Sequence, residues 1–393
     1  MHGEAGKLPD RTRSRFGVVL VVCLAFALMS CGNALSNDGA PGQSITVSSL
    51  SQLTSAVDRA GPAKVITVAP GNYDTLQIRG LNFSRPVIIR SADDERPAIF
   101  KGFSIRDSSN ITLQNLAIRP PASGNDLNRY GAIVMKSDGI VIDGLSFVGP
   151  GNTRNSVYAS AIMLRLSRDV TLIRSYFANF RHGVEMLDLT GSRIALNEFE
   201  RLQTDAIRGG GVSDTRIENN VMTNFSPAEN DHPDGIQLWS TNQKEPGRNI
   251  VIAENLVARG QGAPTQGIFI RDTHRQLPFE EIEVSRNLIL GGLYNGIAVD
   301  GAHIVIVREN IVMGRSDQKS WIRLQRIRNA RSIENIAQQF LSLDNKMEPL
   351  QAGNSEVAAL DRGQAHVISS WVKKTRGFAE FRGPVLRRLL AGN

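Results

Sequence analysis

Two short phrases alternate along most of this chain. The first reads apolar-x-apolar-x-x-Asn-x-apolar, as in "IALNEF" (194–199), "TRIENNVM" (215–222), "IVIAENLV" (250–257), "IEVSRNLI" (282–289) and "VIVRENIV" (305–312). Earlier copies, "ITLQNLAI" (111–118), "IVIDGLSF" (140–147) and "VTLIRSYF" (170–177), put Leu116, Leu145 and Ser175 where the asparagine falls. From there the column runs Asn197, Asn220, Asn255, Asn287 and Asn310, and the full set is spaced by 29, 30, 22, 23, 35, 32 and 23 residues. The second phrase reads x-Gly-Ile-x-apolar, as in "HGVEM" (182–186), "DGIQL" (234–238), "QGIFI" (266–270) and "NGIAV" (295–299), with the variants "GAIVM" (131–135), "SAIML" (160–164) and "DAIRG" (205–209). Both phrases keep the period of two that marks a strand, and no helical period separates them. Strands recurring at this interval predict a parallel β-solenoid, with apolar residues stacked inside and the asparagines forming an amide ladder at an inner turn.

The predicted domain runs over residues 46–345. Its opening, "TVSSLSQLTSAVDRAGPAKVITVAPGNY" (46–73), places Leu50, Leu53, Val57 and Ala60 at helical spacing before a strand and Gly-x-Tyr. With the repeat, this stretch resembles the right-handed parallel β-helix superfamily of pectate lyases, polygalacturonases, chondroitinase/alginate lyases and mannuronan C5-epimerases. The N-terminal part is similar to the cap and first coil of the chondroitinase B/alginate lyase group. The resemblance implies an all-β, single-stranded right-handed parallel β-helix with an N-terminal capping helix and a short helical C-terminal segment. It is specific for fold and not for reaction, since the superfamily hosts lyases, hydrolases, epimerases and non-enzymes. Residues 346–393 lose the repeat and read as short amphipathic helices, either a C-terminal cap or a basic tail. The other reading is a contact to a polyanion or membrane surface through Lys373, Lys374, Arg376, Arg387 and Arg388.

Composition agrees with a turn-dense β architecture: aromatics are 6% and glycines number 36. Lys7, Arg11, Arg13 and Arg15 precede the apolar run 16–29, a targeting pattern that predicts export. "LMSC" (28–31) resembles the bacterial lipobox, which makes residues 1–31 a lipoprotein signal with Cys31 lipidated and residues 32–45 a linker. Met29 is an unusual residue for its position, and plain cleavage or an uncleaved anchor stays open. Cys23 and Cys31 are the two cysteines, so a mature body would hold no disulfide, thiol nucleophile or thiolate metal site. The net charge of +7 falls to +5 without residues 1–30. A basic exported protein, expected as a monomer in the periplasm, on the outer membrane or secreted, favours an anionic partner. No basic stripe with interleaved aromatics points to nucleic acid, and acidic polysaccharide suits export better.

Register sharpens the candidate chemistry. The residues flanking the inward pair of the second phrase form three outward columns. The first runs Tyr130, Ser160, His182, Asp205, Asp234, Gln266, Asn295. The second runs Val134, Met163, Glu185, Arg208, Gln237, Phe269, Ala298. The third runs Lys136, Arg165, Leu187, Gly210, Trp239, Arg271, Asp300. Column neighbours lie about 4.8 Å apart. His182, Glu185, Asp205, Arg208, Asp231, His232 and Asp234 would therefore meet on three adjacent coils. Uronic acids carry an acidic C5 hydrogen, and its abstraction needs a cation on the carboxylate and a base. Arg208 suits the first role and His232 the second, with Asp205 and Asp234 completing the catalytic set. Asp205, Asp231 and Asp234 could alternatively hold calcium. His182, Glu185, Gln237, Trp239, Arg271, Arg165 and Lys136 are the expected substrate contacts. His274, in "IRDTHRQ" (270–276), falls at the far strand edge, and His303 reads as structural. "DHPD" (231–234) holds the residues of the epimerase Asp-Pro-His motif in another order. The Gly-His-Gly and Arg-x-Lys motifs of polygalacturonases are absent, as are the arginine and lysine motifs of the lyase group's catalytic coil. The resulting expectation is a lyase acting by β-elimination, with a C5-epimerase, a glycoside hydrolase or a non-catalytic polysaccharide-binding β-helix as alternatives.

Overall fold

The computed structural model describes residues 44–122, 130–151, 158–379, 381 and 383–392. The signal segment 1–31, with Cys31, lies outside the described residues, as does nearly all of the 32–45 linker. From Ile45 the chain winds as a parallel β-helix. Most coils contribute three strands, called A, B and C here, for example His182–Thr190, Arg193–Ala195 and Glu198–Glu200, while Ile207–Glu218, Asn295–Arg308 and Trp321–Ile333 each run A and B as one. A and B strands join one sheet of 21 strands, and the C strands form a second of 12.

The N-terminal end is closed by the helix Leu50–Asp58. Ser49 caps it by accepting a hydrogen bond from the Gln52 amide, and Leu53, Ala56 and Val57 are buried on the first coil. Leu50 and Ala60 pack more loosely against the same core.

The asparagine column is the turn between B and C strands. Asn220 Nδ2 donates to Asn255 Oδ1 (2.9 Å) and to the Ile194 carbonyl (2.9 Å), and the Asn220 amide donates to the same Oδ1 (3.1 Å). Asn197, Asn255, Asn287 and Asn310 repeat this pattern. Each buried turn is thereby satisfied by the next coil. The residue before each asparagine is left-handed, including Leu196, Asn219, Glu254, Arg286 and Glu309. That conformation costs non-glycine residues about 1–2 kcal/mol, which the amide bonds offset. Two rungs continue past the predicted column, at Asn335 and Asn354. The solenoid accordingly ends at Ser355–Glu356 rather than at 345. Inside, Phe147, Phe177 and Phe199 stack with centroids 4.7 and 4.8 Å apart, one rung each.

The C-terminal segment does not cap the open end. Helices Gln364–Lys374 and Pro384–Ala391 lie on the outer side of the middle C strands. Ile368, Trp371, Phe378, Val385, Leu386 and Leu389 bury themselves there against Val221, Leu256, Ala258, Leu288 and Leu290. Glu198 accepts the Leu386 amide (2.8 Å) at the start of the last helix, and Arg388 pairs with Glu200 (2.8 Å). Arg388 is thus a structural contact, while Lys373, Lys374, Arg376 and Arg387 stay exposed.

Candidate active site

The site lies on the outer side of the A strands. At the start of these strands the second phrase needs a small residue. A Cβ on Gly235 would meet Val257 Cγ2 at 2.7 Å, and one on Gly183 would meet the Phe199 ring at 2.7 Å. The glycine therefore faces the core, and the residue before it is turned toward the outer side. This places His182, Asp205 and Asp234 in the first column, as expected, and pairs Glu185 with Arg208 and Arg208 with Gln237. In the third column Gly210 pairs with Trp239, and Trp239 with Arg271.

One coil departs from the expected register. Ile133 pairs with Met163 and Met135 with Arg165, so Val134 lies in the core and Lys136 sits past the column. Lys136 stands at a left-handed turn away from the cleft and leaves the candidate substrate contacts.

The first column is also buried rather than open. Asp234 is 0% exposed, Asp205 3% and His182 7%. Arg208 binds this layer from the front. Its Nη1 lies 3.1 Å from Asp205 Oδ2 and donates to His182 Nε2 at 3.1 Å. Because arginine only donates, His182 Nε2 accepts, which assigns the ring proton to Nδ1, facing Thr204 Oγ1. Burial, then Arg208 and Arg181, holds the His182 pKa well below the usual histidine range. The Asp234 amide donates to Asp205 Oδ1 (3.1 Å), and Gln237 Nε2 donates to Asp234 Oδ2 (2.6 Å). Burial pushes Asp205 up to about 6, with Arg208 opposing it. Burial and the neighbouring Asp205 push Asp234 well above the carboxylate range. Burial thus favours the neutral acid at both positions, and Arg208 opposes it at Asp205.

In front of this layer lies a cleft of about 330 Å³, lined by Arg208, Gln237, Trp239, Phe269, Arg271 and the nearby Thr241. The Arg208 guanidinium sits 4.8 Å from the Trp239 ring centroid. Arg271 is half exposed on the opposite side, 3.6 Å from Asp300. An anion entering the cleft would meet two guanidinium groups and an indole face.

Other expected residues fall elsewhere. His232 is exposed on the loop leading to Asp234, and among the described residues no hydrogen bond or ion pair ties it to the cluster. Asp231 is engaged by Gln203 Nε2 (2.8 Å) and the Ala228 amide (3.0 Å). Among the described residues no three His, Cys, Asp or Glu side chains could hold a metal ion. The donor set does not fit calcium. Glu185 accepts from Ser160 Oγ (2.8 Å), and Arg165 is exposed on the same face. Asp272 is a buried loop anchor for Ser240 and the Leu277 amide, and His274 is exposed beyond the strand. His303 faces Glu280 (3.7 Å) away from this cleft. Thr204 was not singled out by sequence. Its position beside Asp205, one rung from His182, was the available signal.

Residues 151–313 match the family model described as right handed beta helix region. No curated protein matches the chain in sequence. Among solved structures, the chain is similar to PfbA, a surface adhesin of Streptococcus pneumoniae, at 14% identity and a TM-score of 0.53, covering 79% of this chain and 88% of that one. It is also similar to an alginate lyase from Paenibacillus sp. str. FPU-7 (14% identity, TM-score 0.43, 80% and 99% covered). An exopolygalacturonase of family 28 from Yersinia enterocolitica aligns at 11% identity and a TM-score of 0.44, with 82% and 79% covered. The coil register, the match over residues 151–313 and the likeness to PfbA together show the fold, a right-handed parallel β-helix.

Proposed function

We propose that this chain binds an acidic polysaccharide across the A face and cleaves it by β-elimination at Arg208. The observation that carries the reading is Arg208 itself, held from behind by Asp205 and His182 and opened toward a cleft shared with Trp239 and Arg271. Paired with a uronate carboxylate, Arg208 would stabilise the charge that develops when C5 loses its hydrogen. His232, exposed on the loop that leads into Asp234, would take that proton. The C4–C5 double bond forms as the C4–O bond breaks, and the leaving oxygen recovers a proton from the imidazolium or from water. Trp239 supports the apolar face of the sugar, and Arg271 holds a neighbouring acidic unit. The hydrolase alternative fits less well, because Asp205 and Asp234 are both buried behind Arg208. Export through residues 1–31 would bring the protein to such polymers, and membrane partitioning of Cys31→Ser tests the anchor.

A second reading, binding without turnover, draws on one observation: the titratable groups in contact with Arg208 are all buried. The experiment is incubation with a panel of acidic polysaccharides, following ultraviolet absorbance of unsaturated uronates. Arg208→Lys keeps a charge opposite Asp205 but loses the planar fork, and should lower kcat at least ~100-fold. His232→Ala should lower it by a similar factor. Wild-type turnover in both variants would remove these roles. Binding with no product would favour the second reading, and C5 inversion without cleavage would mark an epimerase.

A further inference from the structure

The arginines of the A face recur with a period of their own. Following the second and third columns rung by rung, Arg106 pairs with Met135, Met135 with Arg165, Arg165 with Leu187 and Leu187 with Gly210. On the Gly210 rung the arginine shifts one column, to Arg208. The next rung carries Gln237 and Trp239, and the one after it Arg271. Ala298 and Asp300 follow, and then Arg323. Within these two columns Arg106, Arg165, Arg208, Arg271 and Arg323 thus occupy every second coil, while Arg181, on the Glu185 coil, stands before its A strand and outside the columns.

The intervening coils are not neutral spacers. They carry Met135, Glu185, Trp239 and Asp300 on this face. Glu185 and Asp300 would repel an anion placed at their own level, while the arginines on either side would attract it. Asp300 is itself held by Arg326 at 2.6 Å and approached by Arg271 at 3.6 Å. Arg79, one coil before Arg106, breaks the alternation at the end of the series and faces Asp107 at 3.5 Å.

Two of the five arginines carry an unused buried donor. The Nε atoms of Arg208 and Arg323 have no hydrogen-bond partner. Arg165 and Arg323 have no salt-bridge partner among the described residues. The face is also concave beyond the first cleft: a second hollow of about 450 Å³ includes Gln77, Ser104, Arg106, Tyr130 and Ile133.

We propose that this face selects its polymer by period: an extended acidic polysaccharide that presents one carboxylate or sulfate to the groove every second sugar. Two rung spacings amount to about 9.6 Å, close to the length of an extended disaccharide. Arg106 to Arg323 spans eight rungs, about 38 Å, or some eight sugars. A strand whose anions all turn to one side at each sugar would meet Glu185 and Asp300. Two sources supply the required chemistry: a polymer alternating uronate with a neutral sugar, or a homopolymer of uronate in which successive carboxylates point to opposite sides.

The inference rests on the acidic-polysaccharide reading of the site but not on cleavage. Its test is calorimetric binding of size-fractionated oligosaccharides from an alternating uronate polymer and from a uronate homopolymer. Where the protein cleaves them, the same series is measured with His232→Ala. Affinity should climb in steps of two sugars up to about eight. Arg323→Ala should weaken an octasaccharide by about 3–10-fold while leaving a tetrasaccharide that spans Arg208 and Arg271 unchanged. The two oligosaccharide families separate the two sources. Affinity that is flat beyond four sugars, or that rises equally with every sugar added, would overturn the periodic groove even if the protein proves to be a lyase. Equal or tighter binding of single-stranded nucleic acid, whose phosphates do not follow this repeat, would overturn it too. Absence of lyase product with the stepped affinity intact would remove the cleavage reading and leave this one standing.

Discussion

Replacing Asn255 with alanine tests whether the amide ladder holds the coils together. Asn255 is fully buried. Its Oδ1 accepts from the Asn220 amide (3.1 Å) and from Asn220 Nδ2 (2.9 Å). Its Nδ2 donates to the Ile217 carbonyl (2.9 Å) and to Asn287 Oδ1 (3.0 Å). Asn220 Nδ2 keeps the Ile194 carbonyl, and Asn287 Oδ1 keeps the Asn255 amide (3.0 Å). One group is then left unpaired, the Asn220 amide, because the Ile217 carbonyl stays within the parallel ladder that registers Glu218 with Ala253. At about 1–3 kcal/mol for a buried group left unpaired, Asn255→Ala should lose about 1–3 kcal/mol. Urea unfolding followed by far-UV circular dichroism measures this, with unchanged m-value as the condition for comparison. Asn255→Leu provides the control, because Leu116 and Leu145 occupy the same column in earlier coils. It refills the volume but returns no acceptor to Asn220, so it should recover less than half of the loss. If leucine restores wild-type stability, the ladder's amide bonds contribute nothing net, and the asparagines are there only to fill space.

Three further outcomes follow from the buried layer and from the clasp that the C-terminal helices form on the middle C strands. Asp234 has a raised folded pKa, so its contribution is complete below the unfolded value of about 4 and is lost as pH rises toward the folded value. Asp205 adds the same sign between about 4 and 6. Asp234→Asn should therefore match wild type in acid and exceed it in alkali, read as urea midpoints across pH. His182, depressed by burial, has the opposite sign: its contribution is present above about 6.5 and falls as pH drops, so His182→Gln should flatten the acid limb of that curve. Glu198→Ala removes the acceptor for the Leu386 amide and should lower stability by about 1–2 kcal/mol. Faster proteolysis within 357–392, with the coils intact, would locate that loss in the clasp.

The repeat made the solenoid legible because its inward residues alternate cleanly in the middle coils. Register failed only at "GAIVM", where Ile133 faces outward and is itself apolar. An apolar outward residue erases the alternation, so Val134 was read one place off and Lys136 with it. Asn335 and Asn354 escaped because Ser332 and Gln351 stand where the phrase has an apolar residue, three positions before the asparagine. The columns brought His182, Asp205, Arg208 and Asp234 together correctly, since parallel pairing follows directly from aligned phrases. Their burial was not legible, because it depends on loops of unequal length folding over the strand edge. The position of the C-terminal helices could have been read in part. "LVA" (256–258) and "LIL" (288–290) are continuous apolar runs, the mark of a strand covered on both sides, whereas "EFE" (198–200) alternates.

The clasp also makes assembly directional. Coils can form one after another as the chain emerges, each templated by the last. The outer strip of Val221, Leu256 and Leu288 then waits, uncovered, for residues more than 75 positions downstream. Until the final helix arrives, a growing chain presents a sticky flank to its neighbours. A nonsense change near the C-terminus would thus do its harm during biogenesis, leaving an intact groove on a molecule prone to clump before it is finished.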